Sequence, residues 1–156
     1  AHGYDHVYAF EKFDVRSPDT ISGIAKNRIT GLPIKGIKIS VDTKFNSNSI
    51  RNNKMYYVFS YTISIENTSE ATVKLTDRFW KIYDSLNGTE IVSGEGVVGQ
   101  TPILKPADVY TYSSGCFLES TLGAMKGFYT MIDLNNYNQF KVYIPTFQLT
   151  TPLLLN

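Results

Sequence analysis

Tyr57-Val58-Phe59-Ser60-Tyr61-Thr62-Ile63-Ser64-Ile65-Glu66-Asn67 decides the fold class. From Tyr57 to Ile65 every odd position is apolar or aromatic, and from Ser60 onward every even position is polar. A period of two is the signature of a β-strand with one buried face, because successive side chains point to opposite sides of the pleat. Ile37, Ile39 and Val41 alternate with Lys38, Ser40 and Asp42 in the same way. Composition agrees: Val, Ile, Thr, Tyr, Phe and Trp make up 60 of 156 residues and Ala only 6, and β-branched and aromatic side chains suit a pleated surface.

Working outward, further strands are predicted at Thr72–Leu75, Arg78–Asp84, Glu90–Ser93, Val109–Ser113, Ala124–Leu134 and Gln139–Leu149. Turn chemistry separates them at Asn67-Thr68-Ser69, Asn87-Gly88, Lys105-Pro106-Ala107-Asp108 and Asn135-Asn136. Asn87-Gly88 reads as a hairpin with a type I′ turn, since both residues tolerate positive φ. No stretch of ten residues carries a 3.6-residue apolar period, so no helix is available to cover a parallel sheet. The expected fold is all-β, an antiparallel sandwich of immunoglobulin or fibronectin type III kind. Phe59, Tyr61, Ile63, Ile65, Trp80, Ile82, Met125, Tyr129, Val142 and Ile144 are its expected core.

A chain of 156 residues suits one domain, large enough to bury about 68–70% of its unfolded surface without a staple. Its 15 basic and 14 acidic side chains give a net charge of +1, no footprint for nucleic acid or anionic lipid. No apolar run approaches the roughly 20 residues of a membrane-spanning helix, so membrane insertion is not expected. The single cysteine excludes an internal disulfide and a Cys-rich zinc site and fixes no redox compartment; an intracellular setting is expected ahead of a secreted one. Residues 1–35 lack alternation and hold both histidines, Pro18, Pro33, Gly23 and Gly31. They read as an N-terminal extension or linker held against the sandwich or a partner, with the domain spanning 36–156.

From about Gly36 to Asn156 the sequence resembles the ApaG domain, a family also met fused to F-box proteins and in a DNA-polymerase-interacting protein of eukaryotes. Carrying the resemblance are Tyr57 to Asn67, Arg78-Phe79-Trp80-Lys81-Ile82, and Gly94-Glu95-Gly96-Val97-Val98-Gly99 followed by Pro102. It continues through Tyr112-Ser113-Ser114-Gly115-Cys116, Gly123-Ala124-Met125-Lys126-Gly127-Phe128-Tyr129 and Ile144-Pro145-Thr146-Phe147. The resemblance implies a fibronectin-III-like sandwich and no established catalysis. It further implies a genetic link to cobalt and magnesium tolerance in bacterial members, and protein interaction in eukaryotic ones. Ala107-Asp108 departs from the Gly-Glu usual there, so that turn is expected to differ.

Gly94-Glu95-Gly96-Val97-Val98-Gly99 matches G-x-G-x-x-G, but Pro102 and Pro106 follow where a dinucleotide-binding fold needs a helix. Two readings remain for Gly94, Gly96 and Gly99: a turn that sends two valines to the core, or a nest of backbone N–H groups for a pyrophosphate-type anion. Arg78, two residues from Trp80 on one strand face, either packs over the tryptophan or offers its fork to that anion. Cys116 lacks a base inside the domain and reads as buried and inert. Glu95, Glu119 and Asp133 do not pair by spacing for acid–base work. His2 and His6 stand at i, i+4 near the terminus, and neither a metal nor any other cofactor is expected. Trp80, Tyr83 and Tyr143 are the expected interaction surface, with Tyr56 and Tyr137 also opposite core-facing neighbours; tyrosine suits interfaces through its apolar body and polar tip. The expected function is a non-enzymatic binding module for a protein partner, a role that suits a subunit or adaptor domain of a larger assembly; the alternative is a module holding a pyrophosphate-containing anion at Gly94–Gly99.

Overall fold

The structure is a computed structural model that describes residues 29–30 and 35–152. Among these residues every regular element is a strand: β1 Ile29–Thr30, β2 Ile37–Arg51, β3 Lys54–Asn67, β4 Val73–Asp84, β5 Gly88–Glu95, β6 Ile103–Leu104, β7 Val109–Leu118, β8 Leu122–Asp133 and β9 Gln139–Thr150. They form two sheets, β1-β2-β3-β7 and β5-β4-β8-β9, with β6 added to β4, and every pairing is antiparallel. The two-sheet all-β architecture is the one the period-two reading expects. Of the expected extension, His2 and His6 lie outside the described residues; Ile29 and Thr30 pair with Val41 and Ser40 of β2.

β3, the strand read first, is central in its sheet, between β2 and β7. Its odd residues Phe59, Tyr61, Ile63 and Ile65 are buried against Trp80, Ile82, Met125, Tyr129, Val142 and Ile144 of the other sheet, so all ten expected core residues are inside. Tyr61 joins the layers, edge-on to Trp80 with ring centroids 5.6 Å apart and tilted against Phe147 at 5.7 Å. Such pairs contribute roughly 0.5–1.5 kcal/mol beyond the area they bury. The polar face of β3 is dry in places: Ser60 is 2% exposed. Its hydroxyls pair sideways, Thr62 with Ser113 at 2.8 Å, partly buried, and Ser64 with Thr111 at 3.0 Å, exposed to solvent.

Four expectations need correction in detail. The break expected between Leu75 and Arg78 is a bulge inside one strand: the β4–β8 register shifts between Leu75 and Asp77. One extra residue resets the alternation, so Leu75 and Arg78 both face inward although they differ in parity. Asn87-Gly88 is not a type I′ turn. Gly88 alone has positive φ, at 80°, and the Asn87 amide donates to the Asp84 carbonyl at 3.1 Å, a type I turn closed by a left-handed glycine. The type I′ geometry sits instead at Asn52-Asn53 (φ 53° and 64°), joining Arg51 to Lys54 and extending β2 and β3 well past their apolar runs. β7, expected to stop at Ser113, continues to Leu118, with Gly115 paired to Ser60. A further bulge lies in β9, where Pro145 and Thr146 fall between the Gly127↔Ile144 and Met125↔Phe147 pairs.

Candidate functional site

Arg78 and the glycine turn come together, in an orientation the sequence does not reveal. Gly94, next to last in β5, pairs with Arg78, and a Cβ there would lie 3.3 Å from the guanidinium, so the absent side chain makes room for it. Arg78 is only 4% exposed, and its Nη1 donates to the carbonyls of Glu95 (3.0 Å) and Gly96 (2.9 Å). The Gly96 amide donates to Thr76 O at 2.8 Å, and Val97 and Gln100 exchange amide–carbonyl bonds at 2.8 and 2.9 Å. Val98 (φ 41°) and Gly99 (φ 79°) make the tight reversal between them. Val97 is buried and Val98 packs against the core. Gly96 needs its φ of 68° and its bare Cα, because a Cβ would stand 2.3 Å from Gln100 O. The turn therefore presents carbonyl oxygens to Arg78 and commits the amides of Gly96, Val97 and Gln100 internally.

The outer face of the β5-β4-β8-β9 sheet is different in character. Phe79, Phe128 and Tyr143 are successive partners across β4, β8 and β9 and form a ladder of rings. Phe79 stacks on Phe128 at 4.9 Å and 12°, and Phe128 meets Tyr143 at 5.5 Å. Beside them Lys81 and Lys126 are direct cross-strand partners, and Lys141 Nζ lies 4.6 Å from the Phe128 ring centroid. Phe79, Lys81, Lys126, Phe128 and Tyr143 line an open groove of about 420 Å³ floored at Gly127. Tyr143 is 58% exposed, and Tyr83, one row further along β4, is 47% exposed, so both expected surface tyrosines are on this face. Trp80 is not: at 1% exposure it belongs to the core and is removed from the interaction surface. Its parity with Arg78 and Ile82 turns it inward over Gly127, where a Cβ would be 3.1 Å from the indole. The sequence reading missed Phe79, Phe128 and the lysines. Their signal was an apolar residue in the polar phase of each strand, but only the register puts the three rings in one row.

The remaining candidates are dispersed. Cys116 is buried, and burial, then the carboxylates of Glu90 and Asp84, push its thiol far above its ordinary range, so it is a protonated core residue. Glu119 is engaged by Lys54 at 2.9 Å and by Asn87 at 2.8 Å, while Asp133 caps a turn by accepting from the Asn135 amide at 2.8 Å. Among the described residues no His, Cys, Asp and Glu cluster could hold a metal ion, and no helix is long and apolar enough to cross a membrane. A buried polar contact bridges the two sheets: the hydroxyls of Tyr112 on β7 and Tyr129 on β8 hydrogen-bond to each other.

Comparison with known proteins fits this geometry. The family model described as ApaG domain matches residues 47–133. Protein ApaG of Shewanella sediminis is 42% identical over 120 residues, covering 77% of this chain and 94% of the relative. Protein ApaG of Vibrio campbellii is 44% identical over the same shares. A Bordetella pertussis protein named ApaA superposes with a TM-score of 0.69 at 34% identity, over 77% of this chain and 98% of that one. A structural-genomics crystal structure reaches a TM-score of 0.72 at 38% identity, over 77% and 90%. With the sandwich, the glycine turn and these relatives in agreement, the chain belongs to the ApaG domain family.

Proposed function

We propose that this chain is a binding module that engages a protein partner through the outer face of the β5-β4-β8-β9 sheet, and that it works by binding and not by catalysis. The observation that carries the reading is the outward-facing Phe79–Phe128–Tyr143 ladder, whose phenylalanines are half-buried and whose tyrosine is exposed. Three rings in one row of a solvent-facing sheet give a rigid apolar anchor at low entropic cost, as interface hot spots require. The absence of catalysis is supported by Cys116 being held protonated in the core and by the ion-paired or turn-capping roles of Glu119 and Asp133. A benzophenone side chain at position 143 tests the reading, with position 111 on the outer face of the opposite sheet as control, both in cells that make the protein. A discrete crosslinked species from 143, lost with Phe128→Glu and lacking from 111, is expected. Equal crosslinking from both positions would refute it.

One observation favours the anion alternative, the closeness of Arg78 to the turn. Against it, the guanidinium is directed at backbone carbonyls, and the amides of Gly96, Val97 and Gln100 are already bonded within the protein. A ligand that prefers the folded state raises apparent stability by mass action, about 2.7 kcal/mol at a hundredfold excess over Kd. Millimolar pyrophosphate is expected to leave the melting temperature unchanged; a saturable rise would put the anion site first.

A further inference from the structure

Resting on the reading of this face as a protein-binding surface, we infer that the segment it receives is acidic: a peptide that sets an aromatic or branched aliphatic side chain against Phe79, Phe128 and Tyr143 and its carboxylates on Lys81, Lys126 and Lys141. The reason is a like-charge pair. Lys81 and Lys126 stand directly opposite each other in the β4–β8 ladder, where like charges destabilise a sheet and a glutamate in either place would help it. Both are exposed, and among the described residues no carboxylate lies within ion-pair distance of either. Asp77 and Glu95, cross-strand partners on β4 and β5, are the acids of this face; they lie on the far side of the ring row, in one row with Thr130 and Lys141, so the rim opposite the Lys81–Lys126 pair is acidic. The whole chain has a net charge of only +1, so the positive field here is local to the groove. A sheet face that keeps a repulsive pair beside outward-facing rings gives up stability for an incoming anion, and opposite charge at the rim sets partner choice and association rate.

Peptide carboxylates fit better than nucleic-acid phosphates. Base stacking needs free ring faces, and Phe79 and Phe128 spend theirs on each other at 4.9 Å while Lys141 covers Phe128. What the ladder offers is ring edges and an open apolar groove, which suit a side chain wedged in from above.

The test is a titration of isotope-labelled full chain, followed by amide shifts. The probes are a glutamate-rich peptide with one central phenylalanine, the same peptide with lysine for every glutamate, the same with alanine for phenylalanine, and a single-stranded oligothymidylate. The first peptide should shift Phe79, Lys81, Lys126, Phe128 and Tyr143 saturably, with affinity falling at least about tenfold when salt rises from low to physiological strength and the Debye length shrinks. The Lys81→Glu, Lys126→Glu double variant should lose this binding, while Lys126→Gln alone should weaken binding and hold or raise the melting temperature, since it removes the repulsion. A lysine peptide that binds the same amides equally well would overturn the acidic chemistry yet leave the face as a protein-binding surface. Tighter binding of oligothymidylate there would overturn it in favour of nucleic acid. No shift with any peptide up to about millimolar concentration, a binding energy near 4 kcal/mol, would overturn it too. The crosslinking result at position 143 stands apart from each of these.

Discussion

A guanidinium at 4% exposure has left water and must be solvated by protein, and Arg78 does this with the carbonyls of Glu95 and Gly96. Removing it leaves both oxygens without their donor, at about 1–3 kcal/mol for each unsatisfied group. Arg78→Ala should therefore cost roughly 2–5 kcal/mol in urea denaturation, with or without pyrophosphate present. Unchanged stability would mean that the buried cation does nothing for the turn. Trp80→Ala tests the layer beneath: Tyr61 and Phe147 both meet the indole edge-on, and the loss should be about 3–5 kcal/mol. Sequence placed Arg78 and Trp80 on one strand face and located the turn. It could not say whether the turn shows Arg78 its carbonyls or shows solvent its amides, because that depends on φ at Gly96, Val98 and Gly99.

At the scale of elements, β2 and β3 form a hairpin whose tip is set by two left-handed asparagines. Asparagine adopts that conformation readily, whereas a β-branched residue there costs about 1–2 kcal/mol. Asn53→Val should speed amide exchange at Ser49 and Tyr56 by roughly tenfold, the equivalent of about 1.4 kcal/mol. Exchange at Ile63 should not change. This hairpin also shows where sequence reading ran short: beyond Phe45 the pattern Asn46-Ser47-Asn48-Ser49 has no alternation, so only pairing to Tyr56–Phe59 makes it a strand. Buried runs such as Phe59–Ile65 were legible because the core enforces period two. β4 was split in the reading because a bulge at Thr76 inverts the phase, and phase is all that a single sequence offers. The candidate face was half legible for the same reason: parity exposed Tyr83 and Tyr143, and register, which parity does not contain, assembled the ladder around them.

For the whole molecule, the polar contact between sheets makes stability sensitive to alkali. Burial first of all pushes the hydroxyls of Tyr61, Tyr112 and Tyr129 well above their ordinary value. In the unfolded chain they ionise near about 10, while the folded protein keeps their protons, so their contribution is fully present below that pH and is lost as pH rises beyond it. Each lost proton steepens the decline by about 1.4 kcal/mol per pH unit. The Tyr112→Phe, Tyr129→Phe double variant should therefore show a shallower fall in unfolding free energy between about pH 10 and 11 than the parent. Equal slopes would place those protons elsewhere.

The bulge at Pro145 has a bearing on solubility. Among the described strands β9 is terminal in its sheet, and a terminal strand invites a second chain to extend the ladder. Proline has no N–H to offer, and the extra residue beside it breaks the even spacing of donors and acceptors, so a docked strand could not run the length of β9. Strand addition along β9 is therefore interrupted at Pro145, within the sheet whose outer face carries the aromatic ladder.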